Sequence, residues 1–401
     1  LSDGNIIPIV AGARLSGKPS KDWRIGVMGI QTADKTINSV KLFPQNYFVA
    51  AAQYNVFKRS NIAAIFVNKE QFDSTGISSA NFNRVAGLDY NINSADNKWR
   101  GKLFFHHSFS NKNNDNAFAH ASWIYYRSYN WSVMWNHEYV DKNYNAETGF
   151  TPRIFQRDAY GMLNRFSYWR FEPEVYYINY PGGHILNRME TGIYFDHYRN
   201  QKFDNTDWLI RGKHEFYFEN SAFIGVYGNA IYTKLFFPTD VSFTGRSETL
   251  SAGDYFYQNA EISLMSNARK KFIIGANSNY GTYFTGTKLS YGGILSYRLQ
   301  PYAIFSLDFT RDEIQLPYLN QMVELNLISP RIEMSFTRSI FLTTFWQYNS
   351  QAKNINFNGR LQWRFKPMSD LFIVYSDNYD NLDYSIKNRA IVAKLVLWIN
   401  T

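Results

Sequence analysis

The sequence predicts an all-β protein, a transmembrane antiparallel β-barrel of about 20 strands (18–22). Three observations predict it. Apolar residues recur at every second position through most of the chain, the period of a strand with two unlike faces. The opposite faces carry Arg, Lys, Glu and Gln, while large aromatics stand on the apolar ones. The alternating stretches match the roughly 9–11 tilted residues with which a strand crosses a bilayer. A soluble propeller would bury its apolar face and repeat every 40–50 residues or so, and neither a repeat nor a blade signature is present.

Taken in order, strands are expected at 7–17, 22–32, 45–57, 60–68, 81–93, 98–108, 116–126, 130–139, 158–168, 174–181 and 186–197. They continue at 206–218, 221–232, 255–265, 270–280, 287–298, 302–310, 323–337, 340–350, 354–366, 370–378 and 388–399. The clearest is 354–366, where Gly359, Leu361, Trp363 and Phe365 share one face and Arg360, Gln362, Arg364 and Lys366 the other. In 206–218, Trp208, Ile210, Gly212, Phe216 and Phe218 oppose Arg211, Lys213 and Glu215, with His214 intruding on the apolar face. Met189, Thr191, Ile193 and Phe195 oppose Arg188, Glu190 and Asp196. Near the end Ile391, Ala393, Leu395, Leu397 and Ile399 share a face. At Ser329-Pro330 the apolar phase slips by one residue, which reads as a bulge. Short and long connections alternate on either side of 168–206 but in opposite parity, so one strand in that interval is miscounted. Trp23, Trp99, Trp131, Trp169, Trp208, Trp346 and Trp398 fall near strand ends, as in an interfacial aromatic girdle.

Composition removes other classes. Hydrophobic residues make up 45% and aromatics 18%, too much burial capacity for a disordered chain. There is no Cys, which excludes disulfides, thiol catalysis and Cys-based zinc sites. No apolar run reaches the roughly 18 residues of a membrane helix. Leu1 does not open a signal peptide, so the chain is expected to be mature or the C-terminal part of a longer precursor. The whole of 1–401 is read as a single barrel domain in the cell outer membrane, closed by pairing of the last strand with the first.

The net charge is +9. Arg211, Lys213, Arg360, Arg364, Lys366 and Lys394 fall on polar strand faces, where they are candidates for lining the lumen. They could bias a pore toward anions, or merely pair with Glu190, Glu215, Glu324 and Glu333 to stiffen the wall. For Arg360 and Arg364 the nearest acids by chain order include Glu333. No continuous outer basic face is presented, so nucleic acid is not an expected partner.

No catalytic constellation emerges. A lipid-cleaving barrel would need Ser, His and an acid or amide together on the lipid-facing surface. His137 and His214 sit in apolar phase; His106 and His107 point to opposite faces and cannot chelate together. Asp377, Asp380 and Asp383 gather carboxylates, but not at the spacing of a Ca²⁺ loop. No cofactor, metal or catalytic residue is expected.

Four segments resemble one family: Pro8–Lys18 with Trp23–Gly26; Tyr144–Arg153; Gly281–Lys288; and Phe345–Ser350 running into Gly359–Pro367 and Val374-Tyr375. They are similar to the uncharacterised DUF5916 outer-membrane proteins common in Bacteroidota. The resemblance implies a barrel that usually follows a carbohydrate-binding-like domain, which would lie upstream of Leu1. It implies no established activity; some members are labelled hydrolases. The expected function is therefore that of an outer-membrane transport, channel or scaffold component, porin-like or a subunit of a larger membrane complex. The alternative is a barrel-embedded hydrolase acting on lipid or glycan; a third reading is a structural barrel with a plugged lumen. Expected partners are outer-membrane lipid, other outer-membrane or periplasmic proteins, and glycan.

Overall fold

In hydrocarbon every backbone N–H and C=O must find a partner within the protein, and amphipathic strands achieve this only by pairing laterally. The computed structural model shows that pairing. It describes residues 7–37, 40–73, 76–111, 115–149, 151, 153, 155–157 and 162–398. The strands are β1 (Ile9–Gly17), β2 (Trp23–Thr32), β3 (Lys35–Ile37), β4 (Val40–Leu42), β5 (Gln45–Val56), β6 (Ser60–Asp73), β7 (Gly76–Asn93), β8 (Trp99–Ser110), β9 (Phe118–Arg127) and β10 (Trp131–Val140). Then come β11 (Phe155–Arg157), β12 (Leu163–Arg165), β13 (Tyr168–Asn179), β14 (Leu186–Asn200), β15 (Asn205–Phe218), β16 (Phe223–Leu235), β17 (Gly253–Met265) and β18 (Phe272–Tyr283). The last are β19 (Gly286–Leu299), β20 (Ala303–Gln315), β21 (Val323–Ser335), β22 (Ile340–Asn349), β23 (Asn354–Lys366), β24 (Ser369–Asp380) and β25 (Ile386–Val396). Twenty-one belong to one large antiparallel sheet; β3–β4 and β11–β12 are small separate hairpins. The expected all-β fold with about 20 strands is borne out.

Contacts divide the chain into two compact units, Leu1–Tyr177 with Ile193–Leu209, and Ile178–Gly192 with Ile210–Thr401. In the first, β1, β2, β5, β6, β7, β8, β9, β10 and β13 pair successively, each antiparallel to the next. Trp23, Trp99 and Trp131 each open a strand and stand opposite Tyr54, Tyr126 and Tyr177, with ring centroids 5.0, 4.8 and 5.1 Å apart. Five of these six rings are exposed on the outside, a girdle of apolar faces with polar tips at the short-turn edge. In the second unit β16 through β25 pair in unbroken chain order. Leu361, Ile373 and Ala393 are directly opposite one another across β23–β25, and so are Trp363, Leu371 and Leu395, so these rows share one face.

Two expectations are corrected. The strand read at 174–181 is the end of β13, which begins at Tyr168; of the strand read at 158–168, residues 158–161 lie outside the described residues, 163–165 form β12 of a small hairpin, and only Tyr168 enters β13. The connection after β10 therefore runs from 141 to 167, and the parity conflict disappears. The long connections 33–44, 141–167 and 236–252 now all fall at one end of the strands, and every connection at the other end is at most six residues. Nor is there a bulge at Ser329-Pro330. The register with β20 runs without a shift from Ala303↔Met334 to Ile314↔Val323. The apolar phase changes because Val323 and Leu325 face inward under a loop, opposite Ile314 and Asp312, whereas Ile332 and Met334 face outward opposite Phe305 and Ala303.

The exposed apolar band is what a lipid-facing surface requires, and it makes the outer membrane the place of this fold. Leu395 lies level with Trp363, in the aromatic belt, where a charge costs little; the centre of the band is at Ile373, 42% exposed. Ile373→Arg should cost about 2–4 kcal/mol and Leu395→Arg about 0–1 kcal/mol. Folding into lipid vesicles, followed by heat-modifiable electrophoretic mobility, checks the order; equal effects would put the facing in doubt.

Candidate functional site

The inward face of a membrane sheet is free of the demand for apolarity, so chemistry should concentrate there. In the first unit the registers Lys69↔Asn83, Val85↔Ser108 and His106↔Ala119 place these residues on that face. Segment 141–149 folds across them. Asn83 spans it, donating from Nδ2 to the Asn145 carbonyl (2.8 Å) while its Oδ1 accepts the Glu147 N–H (3.1 Å). The Ser108 hydroxyl accepts the Asn145 N–H at 2.9 Å, and Lys69 meets Glu147 at 2.6 Å. At the root, buried Asp141 accepts hydrogen bonds from Tyr139 Oη (2.8 Å), Ser167 Oγ (3.2 Å) and the Asn143 N–H (2.9 Å). Val85, Ala119, Val140, Tyr144 and Tyr168 form an apolar core beneath it. Burial raises the Tyr144 phenol pKa. A Cβ at Gly87 would lie 2.0 Å from the ring of His106, so a larger residue there would have to displace that ring, which bonds Asp89 at 2.9 Å.

The second unit carries a separate inward-folded loop, 236–252. Asp240 organises it, accepting the N–H groups of Ser242 (2.9 Å), Thr244 (3.0 Å), Gly245 (2.9 Å) and Arg246 (3.2 Å). Thr239 and Leu250 exchange backbone hydrogen bonds, and Val241 and Leu250 pack on Ile314, Leu316 and Val323. Tyr283 Oη donates to the Val241 carbonyl, and Gln351 reaches the Phe243 carbonyl from a connection 108 residues away in sequence.

All six candidate lumen residues lie in the second unit, and the register sorts them. Arg211 contacts Glu261 at 3.0 Å and Asn229 at 2.7 Å. Lys213 lies between Glu190 (3.4 Å) and Glu215 (3.0 Å), and Glu215 also accepts from Tyr217 and Tyr227. Both charges are thus compensated by neighbouring carboxylates. Arg364 pairs with Asp370 of the following strand at 3.1 Å; Glu333 instead pairs with Arg331, and Glu324 with Arg311. The expected Arg–carboxylate pair is present, but its acid is Asp370, because antiparallel register sets Arg364 opposite Asp370. Arg360 stands opposite Val374 and Thr343, and Lys394 opposite Phe372, and among the described residues neither is in an ion pair; both are exposed. Lys366 follows a register shift at the end of β23 and lines a cavity with Arg338.

Two histidines each meet a hydroxyl on a neighbouring strand. His137 Nδ1 meets Ser122 Oγ at 2.7 Å, and His214 Nδ1 meets Thr191 Oγ1 at 2.6 Å. The two pairs have the same form: a cross-strand hydroxyl satisfies an imidazole in the apolar phase. Around His137 lie Trp169 and Phe171, and among the described residues no carboxylate or amide is bonded to its ring. His106 and His107 do point apart, opposite Gly87 and Ala86. The carboxylates of 377–383 are separated: Asp377 pairs with Arg389, Asp380 with Lys387, and Asp383 accepts the Ser385 N–H. Among the described residues no group of acids and histidines could hold a metal ion.

No family model and no curated protein matches the chain. Solved structures do. The FpvAI–pyocin S2 complex matches with a TM-score of 0.52 at 9% identity, over 96% of this chain and 68% of that one. The fold is that of an outer-membrane β-barrel. The ferripyoverdine receptor of the Pseudomonas aeruginosa outer membrane, bound to ferripyoverdine, gives 0.49 at 11% identity over 94% and 68%. The ferric-catecholate import receptor Fiu of E. coli K12 gives 0.45 at 9% over 95% and 71%.

Asp240 supplies a pH test. Partial burial raises its pKa, but the hydroxyl and N–H of Ser242 and the N–H groups of Arg246 and Gly245 outweigh burial and hold it below the usual carboxylate value. The stabilisation is complete above the unfolded carboxylate pKa of about 3.9 and is lost as pH falls through the lower folded value. Amide exchange across 242–246 should be flat from pH 5 to 8 after correction for intrinsic rates. Asp240→Asn should loosen the loop at neutral pH by about 1.5–3 kcal/mol. Unchanged protection in the variant would remove Asp240 from this role.

Proposed function

We propose that the protein conducts a solute across the outer membrane through a barrel narrowed by segment 141–149. The observation that carries this reading is the anchoring of that segment on the inward face by Lys69, Asn83 and Ser108. A loop that only capped the sheet would have no need of three polar anchors on three strands. The segment includes most of Tyr144–Arg153, one of the four that resemble DUF5916, and family membership is part of the proposal. So is the closing of 1–401 as one barrel domain. Protein partners enter by analogy with FpvAI, whose structure holds a pyocin. A hydrolase is not favoured, since both His–hydroxyl pairs serve equally to satisfy an imidazole.

Single-channel recording in planar bilayers tests the constriction. Lys69→Gln with Asn83→Ala removes two anchors, and unitary conductance should rise severalfold; an unchanged conductance with a folded protein overturns it. Arg360 and Lys394 carry the anion bias, because their charge is not cancelled across the strand. Arg360→Gln with Lys394→Gln should move the reversal potential under a KCl gradient toward cation selectivity. A potential that stays put would make these charges wall structure only.

A further inference from the structure

The second unit has a basic edge that the permeation reading leaves unused. Four of its short connections, 266–271, 300–302, 336–339 and 367–368, contain no Asp or Glu. They and the strand ends beside them contribute Arg269, Lys270, Lys271, Arg298, Arg338 and Lys366. None of these six is in an ion pair among the described residues, and all but Arg298 are exposed. Exposed apolar side chains interleave with them: Phe272 follows Lys271, Tyr297 and Leu299 flank Arg298, and Phe336 and Met368 stand beside Arg338 and Lys366. Between two of these turns lies a cavity of 730 Å³ lined by Arg338, Ser339, Arg364, Lys366 and Met368.

Cations without acids usually sit in open water, away from large apolar surface. Here they ring the edge of a lipid-facing band, at the depth where phospholipid phosphates lie. Arg364 in the cavity is already bound to Asp370, so Arg338 and Lys366 supply its uncompensated charge. Short turns of such barrels face the periplasm, where the adjoining leaflet is phospholipid. We propose that the Arg338–Lys366 cavity binds the phosphate headgroup of an anionic phospholipid, with its acyl chains along Phe336, Phe365 and Met368. The proposal rests on the membrane fold and not on conduction, so the two fail separately.

The test uses the whole chain in nanodiscs of phosphatidylcholine with phosphatidylglycerol, followed by delipidation and quantification of the retained lipid. Phosphatidylglycerol should be retained in preference, and Arg338→Gln with Lys366→Gln should cut that preference by roughly an order of magnitude. Arg246→Gln with Lys353→Gln, on the long-connection side, should not. Equal retention of both lipids by the unmodified protein, or an unaltered preference in the first variant, overturns the proposal. Should that variant fail to fold, salt decides: the preference of the unmodified protein must fall as ionic strength rises, and a salt-independent preference overturns it. Excess inorganic phosphate should leave the lipid in place; complete displacement would make this a free-anion site and sink the lipid assignment.

Discussion

The whole structure depends on one constraint: backbone polar groups in hydrocarbon must be bonded to protein. Lateral strand pairing meets it, and strand pairing imposes a period of two on the side chains. Everything else is arranged around that period. One face is apolar because lipid offers no hydrogen bonds. The other is released from apolarity, and the chain uses that release in two ways. Some charge is cancelled in place, as in the chain of Arg188, Glu190, Lys213 and Glu215, where 2.8–3.4 Å contacts leave little net field. Some is left open, as at Arg360.

The period of two was legible in the sequence because it is local: Leu361, Trp363 and Arg364 reveal their faces without knowledge of any partner strand. Register was not legible, because it joins residues distant in the chain. That is why Glu333 and not Asp370 stood out as a partner for Arg364, although Asp370 is only six residues away across a tight turn. A turn of two residues brings the strand ends face to face, and this near-neighbour geometry was the signal available.

The inward-folded segments were hidden for a different reason. Segment 141–149 has no period, since its backbone groups are satisfied singly, by Asn83, Ser108, Ser167 and Asp141 and by local turns, and not by a ladder. Its apolar residues, Tyr144 and Ala146, look like loop composition until the wall beneath them is known. The wall did leave a trace. Val85, Ala119 and Val140 are apolar at inward positions, as are Val323 and Leu325 beneath the other loop. Apolar residues in polar phase near a strand end mark where something folds over the inner face, and the slip at Ser329-Pro330 was that mark read as a bulge.

The distribution of order follows from the same logic. Strand ladders bond every residue and depend on no single side chain. The inward segments hang on a few: Asp141 and Asn83 in one unit, Asp240 in the other. Each of these accepts or donates two to five hydrogen bonds that the backbone cannot supply to itself. A barrel wall is therefore a poor place for a switch, since moving it breaks a ladder. A segment held by three or four side-chain bonds has a free energy of opening far below that of the sheet. In the conducting role proposed above, the moving part would be a segment of this kind, and the partly exposed ion pair between Lys69 and Glu147 is the contact open to competing solute charge.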